Sequence, residues 1–155
     1  MNIRPKKEDD DLAIKEIYSL YWTDKYFLKH TLERLKDSLD PLAPKISYFV
    51  AEEDSVVVGV IGFRGAPLHM QFFSKTSNPA ELYILAVKNQ KFGVGKNLIK
   101  KIISETKKLG YTEIVLFSSV SFKNSWSFYD HMGFERVESA IAPNEEQGQT
   151  WRVEL

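Results

Sequence analysis

One stretch decides the fold, and it reads Gln90-Lys91-Phe92-Gly93-Val94-Gly95. It lies between an apolar run at 81–87, which predicts a buried strand, and a helical pattern that begins at about residue 96. A strand, a short glycine loop and a helix N-terminus in this order form an anion site, because unpaired backbone N–H groups meet the positive end of the helix dipole there. Glycine has no Cβ, so the backbone can approach a phosphate closely. The stretch therefore predicts a site for a phosphate-bearing ligand.

Two other glycine-rich phosphate loops do not fit this spacing. The nucleoside-triphosphate loop, G-x-x-x-x-G-K-[ST], requires glycine where Gln90 stands and Ser or Thr where Asn97 stands. The dinucleotide fingerprint, G-x-G-x-x-G, requires glycine at the position of Leu98. The remaining pattern is Q-x-x-G-x-G after a strand, and a simple helix-starting turn with two glycines stays open as the alternative.

The composition is that of one globular domain. The chain has 155 residues, 43% of them hydrophobic, and 21 basic against 21 acidic side chains, so its charge does not suggest nucleic-acid binding. There is no cysteine, which excludes disulfides, thiolate zinc sites and a cysteine nucleophile, and the three histidines lack metal-ligand spacing. The N-terminus has no signal-peptide core, and no apolar run approaches about 20 residues. These observations predict a cytoplasmic protein without a membrane span or a metal.

Hydrophobic periodicity predicts a mixed α/β fold that forms a single domain over 1–155. Strands are expected at 2–5, 46–53, 56–63, 81–87, 112–120, 134–137 and 149–155. Helices are expected after the acids at 8–11, over 26–39, from 94 to 109 and over 124–132, whereas 65–78 is expected to be irregular. This order predicts a mostly antiparallel, twisted sheet of about six to seven strands flanked by about four helices, with one strand–helix–strand crossover at 81–120.

The glycine loop resembles the acyl-CoA loop, [QR]-x-x-G-x-[GA], of the GNAT superfamily of N-acyltransferases. A second stretch, Phe128-Tyr129 followed by Gly133-Phe134, is similar to the F-Y-x-x-x-G-F motif of that family. The two motifs cover roughly 81–137 and stand in a family-like order of elements. The resemblance implies a GNAT-type fold, an N-acetyltransferase domain and acetyl-CoA as the co-substrate.

The resemblance also implies which residues bind the cofactor. Backbone groups of the strand would bind the pantetheine arm, and these are the groups of Tyr83, Ile84 and Leu85. The loop would hold the pyrophosphate through its amides, with the expected residues Gln90, Lys91, Phe92, Gly93, Val94, Gly95 and Lys96. The chain departs from the family pattern at three positions, where Phe122 replaces Asn, Ser125 replaces Ala and Val87 replaces Pro.

A local excess of lysine supports an anionic ligand independently of the resemblance. Residues 88–109 contain seven lysines and one acid in a chain whose overall formal charge is zero. Lys88, Lys91 and Lys96 flank the loop and could neutralise phosphates. The other four, Lys100, Lys101, Lys107 and Lys108, are expected to form a solvated helix face.

Acyl transfer to an amine requires a base, an oxyanion donor and an acid for the leaving thiolate. Tyr129 is the expected acid by its place in the second motif, with packing against the cofactor as the alternative. Glu81 is the expected base, and a solvent-exposed glutamate at the end of a strand is the alternative. A strand N–H around Leu85 is the expected oxyanion donor. His69 is a further titratable candidate, for which a surface role is the simpler reading.

The acceptor is not identified by the sequence and remains a small-molecule or peptide amine. Tyr18, Tyr21, Trp22, Tyr26 and Phe27 surround Asp24 and form either the aromatic wall of an amine pocket or a helix–helix contact. Glu145 and Glu146 could touch the substrate or form a polar hairpin tip. A catalytically silent acyl-CoA-binding or sensing module on the same fold is the alternative to an enzyme, and a homodimer remains open.

Overall fold

The computed structural model describes residues 1–35, 45–90, 93–138 and 147–155. The strands are β1 (Asn2–Pro5), β2 (Ser47–Glu53), β3 (Val56–Gly65), β4 (Pro79–Val87), β5 (Glu113–Ser119), β6 (Glu135–Val137) and β7 (Gly148–Glu154). The α-helices are α1 (Asp11–Ser19), α2 (Lys25–Glu33), α3 (Leu68–Gln71), α4 (Val94–Lys108) and α5 (Trp126–His131), with 3-10 turns at Glu8–Asp10 and Val120–Ser125.

The seven strands form one sheet in the order β1-β2-β3-β4-β5-β7-β6. Antiparallel pairing joins β1 to β2, β2 to β3, β5 to β7 and β6 to β7. Parallel pairing joins residues 79–81 of β4 to residues 113–115 of β5, on either side of α4. The predicted mixed α/β class, the mostly antiparallel sheet and the parallel crossover are therefore confirmed.

Three local predictions differ from the structure. The segment expected to be irregular contains α3, because Pro67 has an extended conformation that starts a helical turn, and Met70 is buried beneath that turn. The strand expected from residue 81 begins at Pro79. Leu109 lies beyond the end of α4 and is exposed, although the periodicity placed it on the apolar face. The last residues predicted for the second helix, 36–39, lie outside the described residues.

The chain divides into two compact units. The first unit comprises Met1–Arg64 and Tyr83–Ile102, and the second comprises Gly65–Leu82 and Ile103–Leu155. The hydrophobic core of the first unit joins α1 to strands β2, β3 and β4, and its fully buried members include Ile14, Tyr18, Val50 and Val60. In the second unit Ala66, Met70 and Val115 form a smaller cluster with Phe73 and Phe117.

Two features of the first unit follow from local sequence. The hairpin between β2 and β3 turns at Asp54 and Ser55, whose φ angles of 48° and 64° are those of a type I′ turn. A Cβ on Gly59 would lie 2.8 Å from Val94 and 3.0 Å from Leu98. Glycine at this position of β3 therefore allows α4 to pack closely on the strand.

In the second unit a buried carboxylate holds the segment after α3. The Glu113 side chain, at the start of β5, is fully buried and accepts hydrogen bonds from the backbone N–H groups of Lys75 and Thr76 at 2.8 and 3.0 Å. The Thr76 hydroxyl donates a further bond at 3.1 Å. Because these donors satisfy the carboxylate, a loop without regular backbone pairing is fixed against the sheet.

The N-terminus of the first unit is fixed by an ion-pair network. The Arg4 guanidinium donates to both Asp10 oxygens, at 2.7 and 2.9 Å, and to Glu52 at 2.7 Å. Asp10 also accepts from the backbone N–H of Lys7 at 2.7 Å. The hydrogen bonds from Arg4 hold the pKa of Asp10 below its ordinary value, although burial opposes them.

This network gives a pH dependence of stability with a definite sign. A lowered pKa in the folded state means that ionised Asp10 stabilises the fold above its unfolded pKa of about 3.9, and that this stabilisation is lost as the pH falls through the lower folded value. We expect Asp10→Asn to lower the free energy of unfolding by about 2 kcal/mol near neutral pH. In urea titrations this difference should shrink as the pH falls below about 4, and a difference that is constant down to about pH 2 would contradict this account.

Candidate functional site

The glycine loop makes the predicted transition from strand to helix. Gly93 has a φ of +70°, and a Cβ built on it would have nothing within 4 Å. The Gly93 carbonyl accepts the N–H of Asn97 at 3.1 Å, so the helical hydrogen bonds of α4 begin there. The N–H groups of Val94, Gly95 and Lys96 lie in the first turn, where no acceptor is available within the helix. Lys91 and Phe92 lie outside the described residues.

Both sides of the loop are held in place within the first unit. Val94 is only 3% exposed, so the first residue of α4 is anchored in the core. On the strand side, the Lys88 N–H donates to the Val58 carbonyl at 2.8 Å, and the Tyr21 hydroxyl donates to the Val87 carbonyl at 2.5 Å. The first-turn N–H groups are therefore presented from a fixed backbone, which favours binding of an anion without reorganisation.

The lysines near the loop divide into two groups. Lys88, Lys96 and Lys100 are exposed, as the sequence predicts for side chains that face solvent or a phosphate. Lys101 is half-buried and its ammonium lies 5.2 Å from the centre of the Phe49 ring, so its expected place on a solvated face is wrong. The negative π face of an aromatic ring attracts a cation electrostatically, which accounts for this position.

The aromatic residues of the segment 18–27 divide between the core and the surface. Tyr18 is fully buried, Trp22 packs edge-on against it with ring centres 5.2 Å apart, and both belong to the core of the first unit. Tyr26 and Phe27 are exposed. Asp24 is the N-cap of α2 and accepts the N–H groups of both, at 2.8 and 3.3 Å. Its carboxylate therefore has a structural role in starting the helix. This role was not predicted from the sequence, where Asp24 was considered only as part of an amine pocket.

Glu81 occupies a buried position in the second unit. It is 8% exposed, so the alternative of a solvent-exposed glutamate at a strand end is wrong. It pairs with Val115 in the parallel register of β4 and β5. A glutamate is seldom buried in a strand without a specific role, and burial keeps bulk water away from its carboxylate.

Tyr129 lies in α5 within an aromatic cluster of the second unit. Its ring centre is 5.1 Å from that of Trp151, 5.4 Å from Phe128 and 6.3 Å from Phe134. Burial raises the pKa of Tyr129 to about 12. No described residue makes a hydrogen bond with its hydroxyl, so the phenol is a protonated donor without a partner in the described part of the chain.

The side chains of Glu81 and Trp151, which contacts the Tyr129 ring, project from opposite faces of the second unit's strands. Glu81 pairs with Val115, which in turn pairs with Arg152 of β7, so these three side chains share one face. Trp151 is the next residue along β7 and therefore faces the other side, where it meets Tyr129. Within the second unit, the Glu81 side chain and the Tyr129 ring therefore lie on opposite faces of the strands.

A hydrogen-bonded group that the sequence did not single out positions α5. Trp151 is fully buried and its indole N–H donates to Asp130 at 2.9 Å. Arg136 donates to both oxygens of Asp130, at 3.0 and 2.9 Å, and these bonds together with that from Trp151 lower the pKa of Asp130 to about 2. Trp151 thus contacts the Tyr129 ring and is also hydrogen-bonded to the next residue of the same helix, which fixes the position of that ring.

The histidines do not form a site. His30 packs against Tyr26, the Nδ1 atom of His131 lies 2.5 Å from the Ser127 carbonyl, and His69 is exposed on α3. Within the described ranges, no group of three or more acidic or histidine side chains is placed to hold a metal ion. None of the helices in the part of the chain that the structure describes is both long and apolar enough to cross a bilayer. Glu145 and Glu146 lie outside the described residues.

Comparison with known families bears directly on this geometry. The sequence profile of the acetyltransferase (GNAT) family matches residues 14–134, which is most of the chain. The chain belongs to the acetyltransferase (GNAT) family. The glycine turn at the start of α4 and the Tyr129 motif both lie inside the matched region, so the predicted resemblance is confirmed.

A curated protein and two solved structures illustrate the relationship. The GNAT-family chain is similar to Probable N-acetyltransferase family 8 member 5 of Mus musculus, with 32% identity over 93 residues. This match covers 59% of the chain and 39% of the mouse protein, so the chain spans less than half the length of that relative.

The solved structures share the fold over the whole chain. An acetyltransferase of the GNAT family from Staphylococcus aureus Mu50 superposes with a TM-score of 0.75 and 17% identity, over 99% of this chain and 98% of that one. The PaiA N-acetyltransferase from Thermoplasma acidophilum, solved in complex with coenzyme A, superposes with a TM-score of 0.68 and 20% identity over all of both chains. The expected GNAT-type fold is confirmed.

Proposed function

We propose that this chain is an acetyl-CoA-dependent N-acetyltransferase that moves an acetyl group directly onto a primary amine. The observation that carries the proposal is the turn at Gly93, which presents the first-turn N–H groups of α4 beside the end of β4. An anion with two phosphates suits this arrangement because donors, helix dipole and exposed lysines all favour negative charge. A solved GNAT relative that contains coenzyme A supports the same assignment.

The reaction forms one bond and breaks one. The neutral amine nitrogen attacks the thioester carbonyl carbon, an N–C bond forms, and the C–S bond breaks to release the thiolate of CoA. The amine loses one proton and the thiolate takes one up, so no redox change occurs. An alkylamine has a pKa of about 10, so it must be deprotonated before it can attack.

Three groups of this chain are proposed for the chemical step. Glu81 accepts the amine proton, directly or through a water molecule. The N–H of Leu85 donates to the oxyanion of the tetrahedral intermediate. Tyr129 donates to the sulfur as the C–S bond breaks.

The raised pKa of Tyr129 makes its hydroxyl a weaker proton donor to the leaving thiolate. A phenol with a pKa of about 12 is a weaker acid than an ordinary thiol of pKa about 8.5, so full proton transfer to a solvated thiolate would be unfavourable. The CoA thiol in the same apolar surroundings would also have a raised pKa, so the gap between the pKa of the phenol and that of the thiol is smaller. We therefore expect Tyr129 to stabilise the leaving sulfur by a strong hydrogen bond, with the proton transferred late.

The glycine turn can be tested with a matched pair of variants. Gly93 and Gly110 stand before and after α4, both have positive φ angles (+70° and +84°), and a Cβ on either would have nothing within 4 Å. Valine at either position therefore introduces a similar backbone strain, on the order of 1–2 kcal/mol. We expect Gly93→Val to weaken CoA binding by at least about tenfold in calorimetry, whereas Gly110→Val should leave the dissociation constant unchanged.

The comparison also separates binding from instability. Circular dichroism should show the two variants equally folded at the temperature of the calorimetry. Equal CoA affinity in wild type and folded Gly93→Val would show that the turn does not hold the phosphates, and the proposed cofactor site would then be wrong.

A further inference from the structure

Five side chains of the first unit form a connected group around the Tyr83 ring. The Tyr83 group consists of Tyr18, Arg34, Tyr48, Arg64 and Tyr83. Arg34 donates from Nη1 to the Tyr83 hydroxyl at 2.9 Å, and its guanidinium carbon lies 5.3 Å from the ring centre. The guanidinium carbon of Arg64 lies 5.1 Å from the same centre. One tyrosine ring of β4 thus contacts two permanent cations.

The contacts of Arg34 do not neutralise its charge. Its guanidinium contacts a phenol and a ring, and no carboxylate of the described residues pairs with it. The Tyr48 hydroxyl donates to the backbone carbonyl of Arg34 at 3.3 Å, which fixes the end of α2 against β2. The Arg34 guanidinium is held near neutral phenols, and a guanidinium binds a carboxylate in a bidentate geometry.

An independent observation points to a ligand at the same place. The Tyr18 side chain is fully buried, and its hydroxyl has no hydrogen-bond partner among the described residues. Burial raises the pKa of Tyr18 well above its ordinary value, and the nearby phenols of Tyr48 and Tyr83 raise it further. A buried hydroxyl beside other hydroxyls can donate to an oxygen of a bound molecule, and such groups seldom remain unsatisfied.

The position of Tyr83 relates the group to the chemical step. Tyr83 is two residues before Leu85 on β4, the residue whose N–H we propose as the oxyanion donor. Two strand residues span about 7 Å, so an acceptor held at the Tyr83 ring is close to the proposed reacting carbonyl. This step rests on the proposed N-acetyltransferase function.

We propose that the acceptor amine carries a carboxylate, and that the guanidinium of Arg34, with Arg64 beside it, binds this carboxylate while the amine is acetylated. Amino acids and related amino carboxylates belong to this class. Polyamines and aminoglycosides do not, because their additional cations would lie against the Arg34 guanidinium, and such like-charge contacts are a common means of rejecting ligands.

The test uses acceptors that differ only in the carboxylate. Lysine is compared with cadaverine and phenylalanine with phenethylamine, and spermidine is included as a polycation. In each pair that the wild-type protein acetylates, we expect kcat/KM to be at least about tenfold higher for the amino acid than for the amine without a carboxylate. In Arg34→Met this ratio should fall to about one, and Arg34→Lys should retain part of it because it keeps the charge but loses the bidentate geometry.

Lys29→Met is the matched control, because Lys29 is an exposed cation on the same helix, 74% exposed, and it contacts Glu33. Its ratio should equal that of the wild type. If cadaverine, phenethylamine or spermidine is acetylated with a kcat/KM equal to that of the amino acids, the carboxylate proposal is wrong and the N-acetyltransferase function stands. If no amine of the panel is acetylated by protein that binds acetyl-CoA, both proposals fail.

Discussion

Replacing Tyr129 with phenylalanine is expected to lower kcat for acetyl transfer by about 10²- to 10³-fold, which lies within the range of about 10²- to 10⁴-fold that a positioned acid or base typically contributes. The loss should fall on kcat, because the hydroxyl acts on the sulfur only as the C–S bond breaks. Acetyl-CoA affinity should change by less than about twofold, since the ring contacts with Trp151 and Phe134 remain.

The same substitution should leave the fold intact. The Tyr129 hydroxyl has no hydrogen-bond partner among the described residues, so we expect the free energy of unfolding to change by less than about 0.5 kcal/mol. Tyr26→Phe is a suitable control, because Tyr26 is 69% exposed on α2 and its substitution should not affect turnover. Full activity in a folded Tyr129→Phe variant would remove Tyr129 as the donor to the leaving sulfur.

A pKa of about 12 also restricts the pH dependence of the reaction. The folded-state pKa of Tyr129 is raised, so the phenol stays protonated throughout the range in which enzymes are usually assayed. Any fall in kcat between about pH 8 and pH 10 should therefore persist in Tyr129→Phe, because it belongs to another group.

Replacing Trp151 with alanine is expected to give the largest loss of stability, about 4 kcal/mol. Trp151 is the largest fully buried side chain in the described residues, and it contacts the rings of Tyr129 and Trp126. Its removal leaves a cavity between β7 and α5 and also removes the hydrogen bond to Asp130 at 2.9 Å. Both effects act on the helix that carries Tyr129.

Urea unfolding followed by far-UV circular dichroism is the appropriate measurement, because removing one of three tryptophans alters the fluorescence signal itself. Trp151→Phe is the graded control, since it keeps a ring against Tyr129 but loses the indole N–H; we expect about half the effect of alanine. A loss below about 1 kcal/mol for Trp151→Ala would show that α5 does not depend on this contact.

The parts of the fold that follow from local sequence were predictable. The hairpin turn at Asp54 and Ser55 lies between two β-branched runs, and the glycine turn at Gly93 lies between a strand and a periodic helix. Gly110 was expected to end α4, and its φ of +84° is the left-handed conformation of such a cap. By contrast, α3 has four residues, too few for a helical period to be recognised.

The parts of the candidate site that depend on distant residues were not predictable. The hydrogen bond from Arg34 to Tyr83 joins positions 49 residues apart, and that between Trp151 and Asp130 joins positions 21 apart. No local pattern records such contacts, because they arise from strand order and helix packing. Asp24 is different: an acid just before a helical pattern is a recognisable N-cap, and reading it as a cap would have removed it from the acceptor site.

The most direct test of enzymatic acetyl transfer is a combined assay of thiol release and product mass. The full chain is mixed with acetyl-CoA and the panel of amines, CoA thiol is titrated, and acetylated amine is quantified by mass spectrometry. An N-acetyltransferase predicts equal amounts of thiol and acetylated amine, both reduced together in Tyr129→Phe. Binding of acetyl-CoA with no acetylated amine above the uncatalysed background would contradict this account and indicate a catalytically silent acyl-CoA-binding module.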